Sequence, residues 1–269
     1  MASALMLLLL GDAAAQKSQL LKNVELCNGA DRTSPDIQIE GCSALINSGE
    51  QTPQALVIAY NNRGNAYTTK GEYDRAVQDY DQSIKLDPGY ARAFNNRGVA
   101  YQKKGEYDRA ISDFDEAIKL DPNYASALAN RAETYLGKGD YEQAVRDFDE
   151  AIRVKPTLEA LWNGRCWTKA IIGELQAALT DCNEALRLDP NVGLTLDSRG
   201  LIYLKLGLWE LAIDDYSSAL RFNPKLASAL YGRGFAKLKN GDKTGEVDIA
   251  AAKAIEGTIE GEFARYGVQ

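Results

Sequence analysis

The fold is decided by a stretch that reads FNNRGVAYQKKGEYDRAISDFDEAIKLDP, residues 94–122. The same pattern stands thirty-four positions earlier as YNNRGNAYTTKGEYDRAVQDYDQSIKLDP, residues 60–88. Its arginine recurs at that same interval, without a break, at Arg63, Arg97, Arg131, Arg165, Arg199 and Arg233. A fixed period of this length is typical of a repeat protein, in which each copy is one supersecondary unit.

Each copy predicts two helices joined by a turn. In the first helix, Phe94 and Tyr101 are seven residues apart, close to two helical turns, and therefore share one face. Gly105 ends that helix, because glycine accepts the left-handed conformation beyond a helix C-terminus. The second helix stops before Pro122, since the residue preceding proline disfavours helical geometry.

These residues resemble those of the tetratricopeptide repeat family. The clearest copy carries the family pattern at Phe94, Gly98, Tyr101, Ala110, Phe114, Ala117 and Pro122. The resemblance implies an all-α fold, a right-handed α-solenoid of tetratricopeptide helix hairpins with a concave groove lined by the first helices. It also implies a role in binding peptides or proteins. Lys169 and Lys237 depart from the pattern, because the family usually has tyrosine there.

The repeat register divides the chain into consecutive segments. We expect an N-terminal signal segment, a divergent capping hairpin, six tetratricopeptide repeats within 57–256 and a C-terminal cap. The predicted boundaries are 1–15, 16–56, 57–90, 91–124, 125–158, 159–192, 193–226, 227–256 and 257–269.

The N-terminal segment has the pattern of a secretory signal peptide. Residues 4–10 read ALMLLLL, and Ala13, Ala14 and Ala15 follow, so cleavage is expected after Ala15. No Lys or Arg precedes the apolar core, and the alternatives are an upstream start or a buried N-terminal helix in a cytoplasmic protein. No apolar run approaches the ~20 residues that span a bilayer, so the mature chain is not expected to insert into a membrane.

The four cysteines fall into two close pairs. Cys166 and Cys182 occupy facing places of the fourth hairpin, and Cys27 and Cys42 lie close together in the expected capping hairpin. This spacing favours the disulfides Cys27–Cys42 and Cys166–Cys182, which agree with export because disulfides persist in oxidising compartments. The alternative is four buried free thiols in a cytosolic protein.

A carboxylate accompanies every repeated arginine. Five aspartates each follow their arginine by sixteen positions, and a sixth, Asp248, follows by fifteen. The five are Asp79, Asp113, Asp147, Asp181 and Asp215. We interpret this spacing as an Arg–Asp pair in each hairpin, either within the hairpin or to its neighbour. The alternative is a row of arginines that binds an anionic ligand.

The groove that the resemblance implies has two chemically different ends. Asn65, Asn96 and Asn130 line a polar, amide-rich N-terminal end. Trp167, Leu201 and Phe235 share one place in consecutive first helices and form an apolar row. The row is flanked by Leu194, Leu204 and Leu238, with Lys205 and Lys239 beside it. Either a partner's apolar side chains cover this row, or neighbouring repeats and residues 257–269 do.

Composition narrows the function. The formal charge is −7, from 31 Lys and Arg against 38 Asp and Glu, which disfavours nucleic acid as a partner. The chain has no histidine, which removes Ser-His-Asp catalysis and His-based metal sites. We therefore expect no enzymatic activity and no cofactor.

The prediction that follows is a scaffold in the bacterial periplasm that binds a protein or peptide segment. The alternative is a helical regulatory or spacer arm of an envelope enzyme complex with no ligand of its own.

Overall fold

The computed structural model describes residues 17–29 and 34–268, and these residues form helices and connecting turns without a β-strand. The predicted signal peptide, residues 1–15, lies outside them. The helices are α1 (residues 17–27), α2 (Pro35–Asn47), α3 (Pro53–Thr69), α4 (Tyr73–Leu86), α5 (Ala91–Lys103), α6 (Tyr107–Leu120), α7 (Ala125–Lys138), α8 (Tyr141–Val154), α9 (Glu159–Ile172), α10 (Leu175–Leu188), α11 (Gly193–Lys205), α12 (Trp209–Phe222), α13 (Ala227–Lys239), α14 (Gly245–Ile255) and α15 (Ile259–Arg265).

The chain divides into two compact units, and the division falls within α7, after Asn130. In the first unit α3 packs on α4 and α5 on α6, while in the second α9 packs on α10, α11 on α12 and α13 on α14. Each pair is a helical hairpin of one repeat, so the all-α solenoid architecture is confirmed.

Glycine ends the first helix of each repeat, as the sequence predicts. The backbone φ there is positive, between 73° and 88°, at Gly71, Gly105, Gly139, Gly173, Gly207 and Gly241. Repeat one differs from its expected start at residue 57, because α3 begins at Pro53. The Thr52 side chain accepts a hydrogen bond from the Ala55 amide, and a proline in the first turn fits helical φ, so local capping extends the helix backwards.

A glycine facing an aromatic ring sets the distance between the two helices of a hairpin. A Cβ on Gly98 would lie 2.6 Å from the ring of Phe114, too close unless the ring shifts away. In repeat four the same two places hold Cys166 and Cys182, whose sulfur atoms are bonded with a Cα–Cα distance of 5.4 Å. The disulfide therefore takes the position of the aromatic contact, and both cysteines are fully buried.

Each repeated arginine joins its own hairpin with two hydrogen bonds. Arg97 donates from Nε and Nη2 to the two carboxylate oxygens of Asp113 at 2.8 and 2.7 Å. The other five pairs are bidentate in the same way, at 2.6–2.9 Å: Arg63–Asp79, Arg131–Asp147, Arg165–Asp181, Arg199–Asp215 and Arg233–Asp248. The predicted Arg–Asp pairing is thus confirmed.

The remaining guanidinium nitrogen reaches the preceding hairpin. Arg97 Nη1 donates to Asp81 at 2.5 Å and Arg165 Nη1 to Asp149 at 2.6 Å. Arg199 Nη1 donates to the side-chain oxygen of Asn183 at 2.8 Å. One planar side chain therefore fixes both the hairpin and its stacking on the hairpin before it, a geometry that a lysine could not reproduce.

The two lysines that depart from the family pattern join this arrangement. Lys169 Nζ lies 2.9 Å from Asp181, and Lys237 Nζ lies 2.9 Å from Asp248, so each carboxylate there meets an arginine and a lysine. Burial alone would raise the pKa of Asp248, but hydrogen bonds from Arg233 and Lys237 bring that pKa below its ordinary value.

The chain ends of the repeat array carry additional helices. A disulfide between Cys27 and Cys42, with a Cα–Cα distance of 4.5 Å, links α1 to α2. Both cysteines are buried with Leu45 and Ala59. At the other end, α14 is shorter than the other second helices, with 11 residues against 14, consistent with the shorter spacing before Asp248.

Candidate functional site

The groove residues predicted from sequence fall into two groups, which lie in different compact units of the structure. The asparagines Asn65, Asn96 and Asn130 belong to the first unit, whereas Trp167 and the apolar residues that accompany it belong to the second.

A continuous chain of side-chain amides runs through the first unit. Asn130 Nδ2 donates to Asn95 Oδ1 at 2.9 Å, and Asn95 Nδ2 donates to Asn96 Oδ1 at 3.1 Å. Asn96 Nδ2 donates to Asn61 Oδ1 at 3.0 Å, and Asn61 Nδ2 donates to Asn62 Oδ1 at 3.4 Å. Asn62 Nδ2 donates to Asn28 Oδ1, the last acceptor, at 3.2 Å. We call these six residues the amide chain.

The amide chain places its members at two depths. Asn61 and Asn95 are buried, whereas Asn62 and Asn96 are partly exposed. Each primary amide has two N–H donors and an oxygen with two lone pairs. In Asn62 and Asn96 the chain uses one donor and one lone pair. Asn65 lies outside the chain and accepts a hydrogen bond of 2.7 Å from the Tyr80 hydroxyl.

In the second unit the apolar row lies under the C-terminal helix α15. Leu201 is 1% exposed and belongs to one buried cluster with Leu204, Ile259 and Phe263. Trp167 and Phe235 pack against the same cluster, and the Trp167 ring meets the Tyr266 ring edge-on at 5.2 Å between centroids. These are contacts that the internal explanation for the row expects, made by described residues of the C-terminal segment such as Phe263 and Tyr266.

Of the three leucines that flank the row, Leu204 is buried, whereas the other two are more exposed. Leu194 is 60% exposed and Leu238 is 37% exposed. Lys205 is half-buried and donates to the Ala170 carbonyl at 2.6 Å, and burial lowers its pKa. Lys239 is exposed, with its ammonium group 5.0 Å from the centre of the Phe235 ring. Lys205 is thus used within the fold, whereas Lys239 lies at the surface.

A cavity of about 560 Å³ lies beside the row in the second unit, partly open to solvent. Its lining combines aromatic rings, carboxylates and small polar side chains, and α15 supplies part of one wall. The lining residues are Glu133, Leu136, Phe148, Ala160, Asn163, Gly164, Trp167, Leu194, Asp197, Ser198, Ser228, Glu256, Ile259, Glu262, Phe263 and Tyr266.

Two buried acceptor atoms in this lining have no hydrogen-bond partner among the described residues. They are Asn163 Oδ1 and Asp197 Oδ1. Asp197 is 7% exposed, and its other oxygen accepts a hydrogen bond of 2.8 Å from Ser228. Burial raises the pKa of Asp197 to about 7, although the Ser228 hydrogen bond opposes the shift.

Sequence analysis missed Asn163 and Asp197, although the repeat register contains the signal. Both occupy the repeat place that Asn61 and Asn95 occupy in the first unit. The acceptor oxygens of those two asparagines each receive an N–H from Asn96 or Asn130 of the next repeat. In the second unit the corresponding donor places hold Ser198 and Gly232, and Ser198 donates instead to the Leu194 carbonyl.

The described part of the chain has neither a metal-binding cluster nor a membrane-spanning helix. No group of three or more Cys, Asp or Glu side chains there has the proximity needed to hold a metal ion. No helix within residues 17–29 and 34–268 is both long and apolar enough to cross a membrane.

The repeats match two family descriptions. The description TPR repeat matches residues 64–105 and 200–241, and the description Tetratricopeptide repeat matches residues 91–124 and 125–158. No curated protein matched the sequence significantly.

Solved structures share the fold at low sequence identity. A tetratricopeptide repeat protein from Parabacteroides merdae is 18% identical, with a TM-score of 0.71 over 93% of this chain and 99% of that one. PilF of Pseudomonas aeruginosa is 17% identical, with a TM-score of 0.66 over 81% of this chain and 97% of that one. YrrB, described as a TPR protein with an unusual peptide-binding site, is 20% identical, with a TM-score of 0.55 over 71% and 95%. From the matched repeats and the hairpin geometry together, we conclude that this chain belongs to the tetratricopeptide repeat family.

Proposed function

We propose that the protein is a non-enzymatic scaffold that binds an extended peptide or protein segment along the first-helix face of its first unit. The observation that carries this proposal is the amide chain. Tetratricopeptide proteins are generally non-catalytic scaffolds, and the fold neighbour YrrB is described as having a peptide-binding site. These likenesses support the class of function.

The chemistry of the amide chain suits a peptide backbone. A side-chain amide carries the same N–H donors and C=O acceptor as a peptide group, so it pairs with backbone without reading side chains. Asn62 and Asn96 retain one N–H and one lone pair each beyond the bonds of the chain. Because each of these amides is hydrogen-bonded on both sides, its orientation is fixed, and with it the direction of the unused donor and acceptor.

The apolar row of the second unit has a different role in this proposal. Trp167, Leu201 and Phe235 pack with the cluster that contains residues of α15, so the peptide surface is assigned to the first unit. Asn62 and Asn96 supply its free donors and acceptors, and Asn65 and Asn130 lie beside them. Leu194, Leu238 and Lys239 remain at the surface, where they would contact a partner that extends along the second unit.

The proposed compartment is the bacterial periplasm or another oxidising space. Both cysteine pairs lie at bonding distance in the structure, and disulfides persist outside the reducing cytosol. The test is mass spectrometry of protein from its native host. Two intact disulfides and an N-terminus at Gln16 are expected, whereas free thiols and an intact Met1 would place the protein in the cytosol.

Peptide selection on purified protein tests the binding proposal. Peptides from a random display library are selected on the wild-type chain and then measured against Asn62→Ala with Asn96→Ala. We expect at least about a ten-fold loss of affinity, since two side-chain hydrogen bonds are removed. Asn123→Ala, in the exposed turn between α6 and α7, is the matched control and should leave affinity unchanged.

The alternative function, a spacer arm without a ligand, predicts a different result. In that case no selected peptide binds the wild type better than the Asn62→Ala, Asn96→Ala variant. Circular dichroism of both variants separates lost binding from lost folding.

A further inference from the structure

The cavity of the second unit has features that the proposed peptide surface does not explain. It belongs to a different unit, and its two unpartnered acceptors, Asn163 Oδ1 and Asp197 Oδ1, are buried. An unpaired buried acceptor is costly, because it has lost water without gaining a donor. A ligand that brings N–H donors to these oxygens would remove that cost.

The first unit shows what those donors look like. At the same repeat place, Asn61 and Asn95 each accept an N–H from an asparagine of the next repeat, at 3.0 and 2.9 Å. The second unit retains the acceptors but has Ser198 and Gly232 where the donors would be. The smaller residues remove the amide groups and their volume together. At these two positions of the cavity the second unit therefore lacks the amide donor that the first unit has.

The acidic lining of the cavity favours a ligand whose N–H donors carry a positive charge. Asp197, Glu256 and Glu262 line the cavity, and no lysine or arginine is among its described lining residues. Glu262 accepts from the Thr258 hydroxyl at 3.2 Å and lies 4.0 Å from the Arg265 guanidinium, so it is only partly compensated. A group with several N–H donors and a positive charge complements such a wall.

The aromatic part of the lining favours a ligand in which the charged group is attached to an apolar or aromatic group. Trp167, Phe263 and Tyr266 present aromatic surface, which packs against apolar groups and attracts cations through its ring faces. A volume of about 560 Å³ lies within the range of small-molecule sites.

We propose that this cavity binds an organic cation, a primary ammonium or guanidinium group on a short apolar or aromatic body. The cation donates to Asn163 Oδ1 and Asp197 Oδ1. Its body lies against Trp167, Phe263 and Tyr266. The same chemistry is found in a free amine and in a lysine or arginine side chain of a partner.

The experiment measures binding through the fluorescence of Trp167. The chain has three tryptophans, so Trp162→Phe with Trp209→Phe leaves Trp167 as the single reporter. Phenethylamine is the cationic probe, and 2-phenylethanol, with a hydroxyl in place of the ammonium, is its uncharged match. Blocked lysine, Nα-acetyl-lysine methylamide, stands for a side chain of a partner. Calorimetry on the wild type provides an independent affinity.

We expect phenethylamine or blocked lysine to bind with a Kd below about 1 mM, and 2-phenylethanol to bind at least about ten-fold more weakly than phenethylamine. Tighter binding of blocked lysine would identify a partner's side chain as the source, and tighter binding of phenethylamine a free amine. The proposal is overturned if the alcohol binds as well as the amine, or if neither cation binds at about 10 mM, well above the expected Kd.

Three variants locate the binding. Asp197→Asn keeps the shape, removes the charge and should weaken phenethylamine at least about ten-fold. Ser198→Asn restores the donor of the first unit, fills the space and should abolish binding. Asp214→Asn removes an exposed carboxylate of α12 outside the cavity and should change affinity less than about two-fold.

Folding is monitored by circular dichroism and melting for each variant. If Asp197→Asn does not fold, Asn163→Leu decides, because it removes the other acceptor at similar volume and should also weaken phenethylamine. Unchanged affinity in a folded Asp197→Asn or Asn163→Leu variant would overturn the proposal. Since the amide chain is in the other unit, Asn62→Ala with Asn96→Ala should leave phenethylamine binding intact whatever happens to peptide binding.

Discussion

Arg97 holds carboxylates on both sides of itself in sequence, Asp113 sixteen residues after it and Asp81 sixteen residues before it. Asp113 is 5% exposed, so its charge depends on the guanidinium for compensation. A buried ion pair adds modest net stability, because desolvation offsets most of the attraction, but losing one partner is costly. The pair therefore acts mainly as a geometric constraint at the level of the single residue.

A double-mutant cycle tests this account. Arg97→Leu alone should destabilise by about 3 kcal/mol, since Asp113 keeps a buried, uncompensated charge. Arg97→Leu with Asp113→Leu should cost less than the sum of the single changes, with a coupling of about 1–3 kcal/mol in urea unfolding. The exposed pair Lys119–Glu116 is the control and should show a coupling below about 0.5 kcal/mol. Additive changes at Arg97 and Asp113 would contradict the constraint.

Asp197 gives a pH-dependent prediction. Its pKa of about 7 lies above that of an exposed aspartate, so the folded state holds the proton more tightly than the unfolded state. Stability from this group is therefore present below pH ~4 and is lost as pH rises from about 4 to 7. Asp197→Asn should remove that part of the slope and be more stable than wild type at pH 8, by about 1–3 kcal/mol.

Urea unfolding of both proteins between pH 4 and 8 measures the difference, in which the other titrating groups cancel. Parallel stability curves for the wild type and the variant would show that Asp197 is ionised in the folded protein throughout this range.

At the scale of the element, the hairpin of repeat four has a disulfide at the place where repeats one, two and five have an aromatic ring against a glycine. Cys166 and Cys182 occupy the repeat places that Gly98 and Phe114 occupy in repeat two. A disulfide therefore joins α9 and α10 where repeat two has a ring packed against a glycine. The two solutions occupy the same position between the helices. They differ in that the disulfide also restricts the unfolded chain.

Two double replacements separate these contributions. Cys166→Ala with Cys182→Ala should lower stability by about 2–4 kcal/mol, because both the cross-link and the packing are lost. Cys166→Gly with Cys182→Phe rebuilds the contact of repeat two and should recover about 1 kcal/mol or more of that loss. Denaturant unfolding under oxidising conditions measures both. Equal stability of the two variants would show that the ring is not a substitute for the bond.

The helix α15 and the row beneath it form a second element-scale feature. Trp167→Ala with Phe235→Ala should lower the free energy of unfolding by about 2–4 kcal/mol, since both rings pack against a buried cluster. Leu238→Ala, at a partly exposed flank of the row, should change it by less than about 1 kcal/mol. A double variant with unchanged melting but lost partner capture would instead identify the row as a recognition surface.

For the whole molecule, the sequence predicts the architecture well because each position of the repeat occurs six times. A pattern seen in one repeat can therefore be checked in the other five. The turn at Gly105, the pair Arg97–Asp113 and the facing positions of Cys166 and Cys182 all follow from register alone. The start of α3 does not, because it depends on the local cap at Thr52, outside the repeated pattern.

The candidate site was harder to predict, because its features come from tertiary contacts. The asparagines were recognised as polar groove residues, but their bonding to one another depends on which amide faces which across stacked helices. The cavity depends on a missing partner: Asp197 looks like an ordinary surface carboxylate until Gly232 is seen to provide no donor. The seat of α15 likewise follows from packing between segments far apart in sequence.

The hydrogen bonds of the repeated arginine to its own hairpin and to the preceding one also have a genetic consequence. Arg199 bonds Asn183, sixteen residues before it, and Arg165 bonds Asp149 at the same separation. If recombination removed residues 159–192, one whole period, Arg199 would stand sixteen residues after Asp149 and meet an acceptor of the same geometry. The arginine hydrogen bond that connects one repeat to the next can therefore form between repeats that are not adjacent in the present chain. A gene built this way is free to gain or lose copies in frame, with each new junction already supplied with its bond.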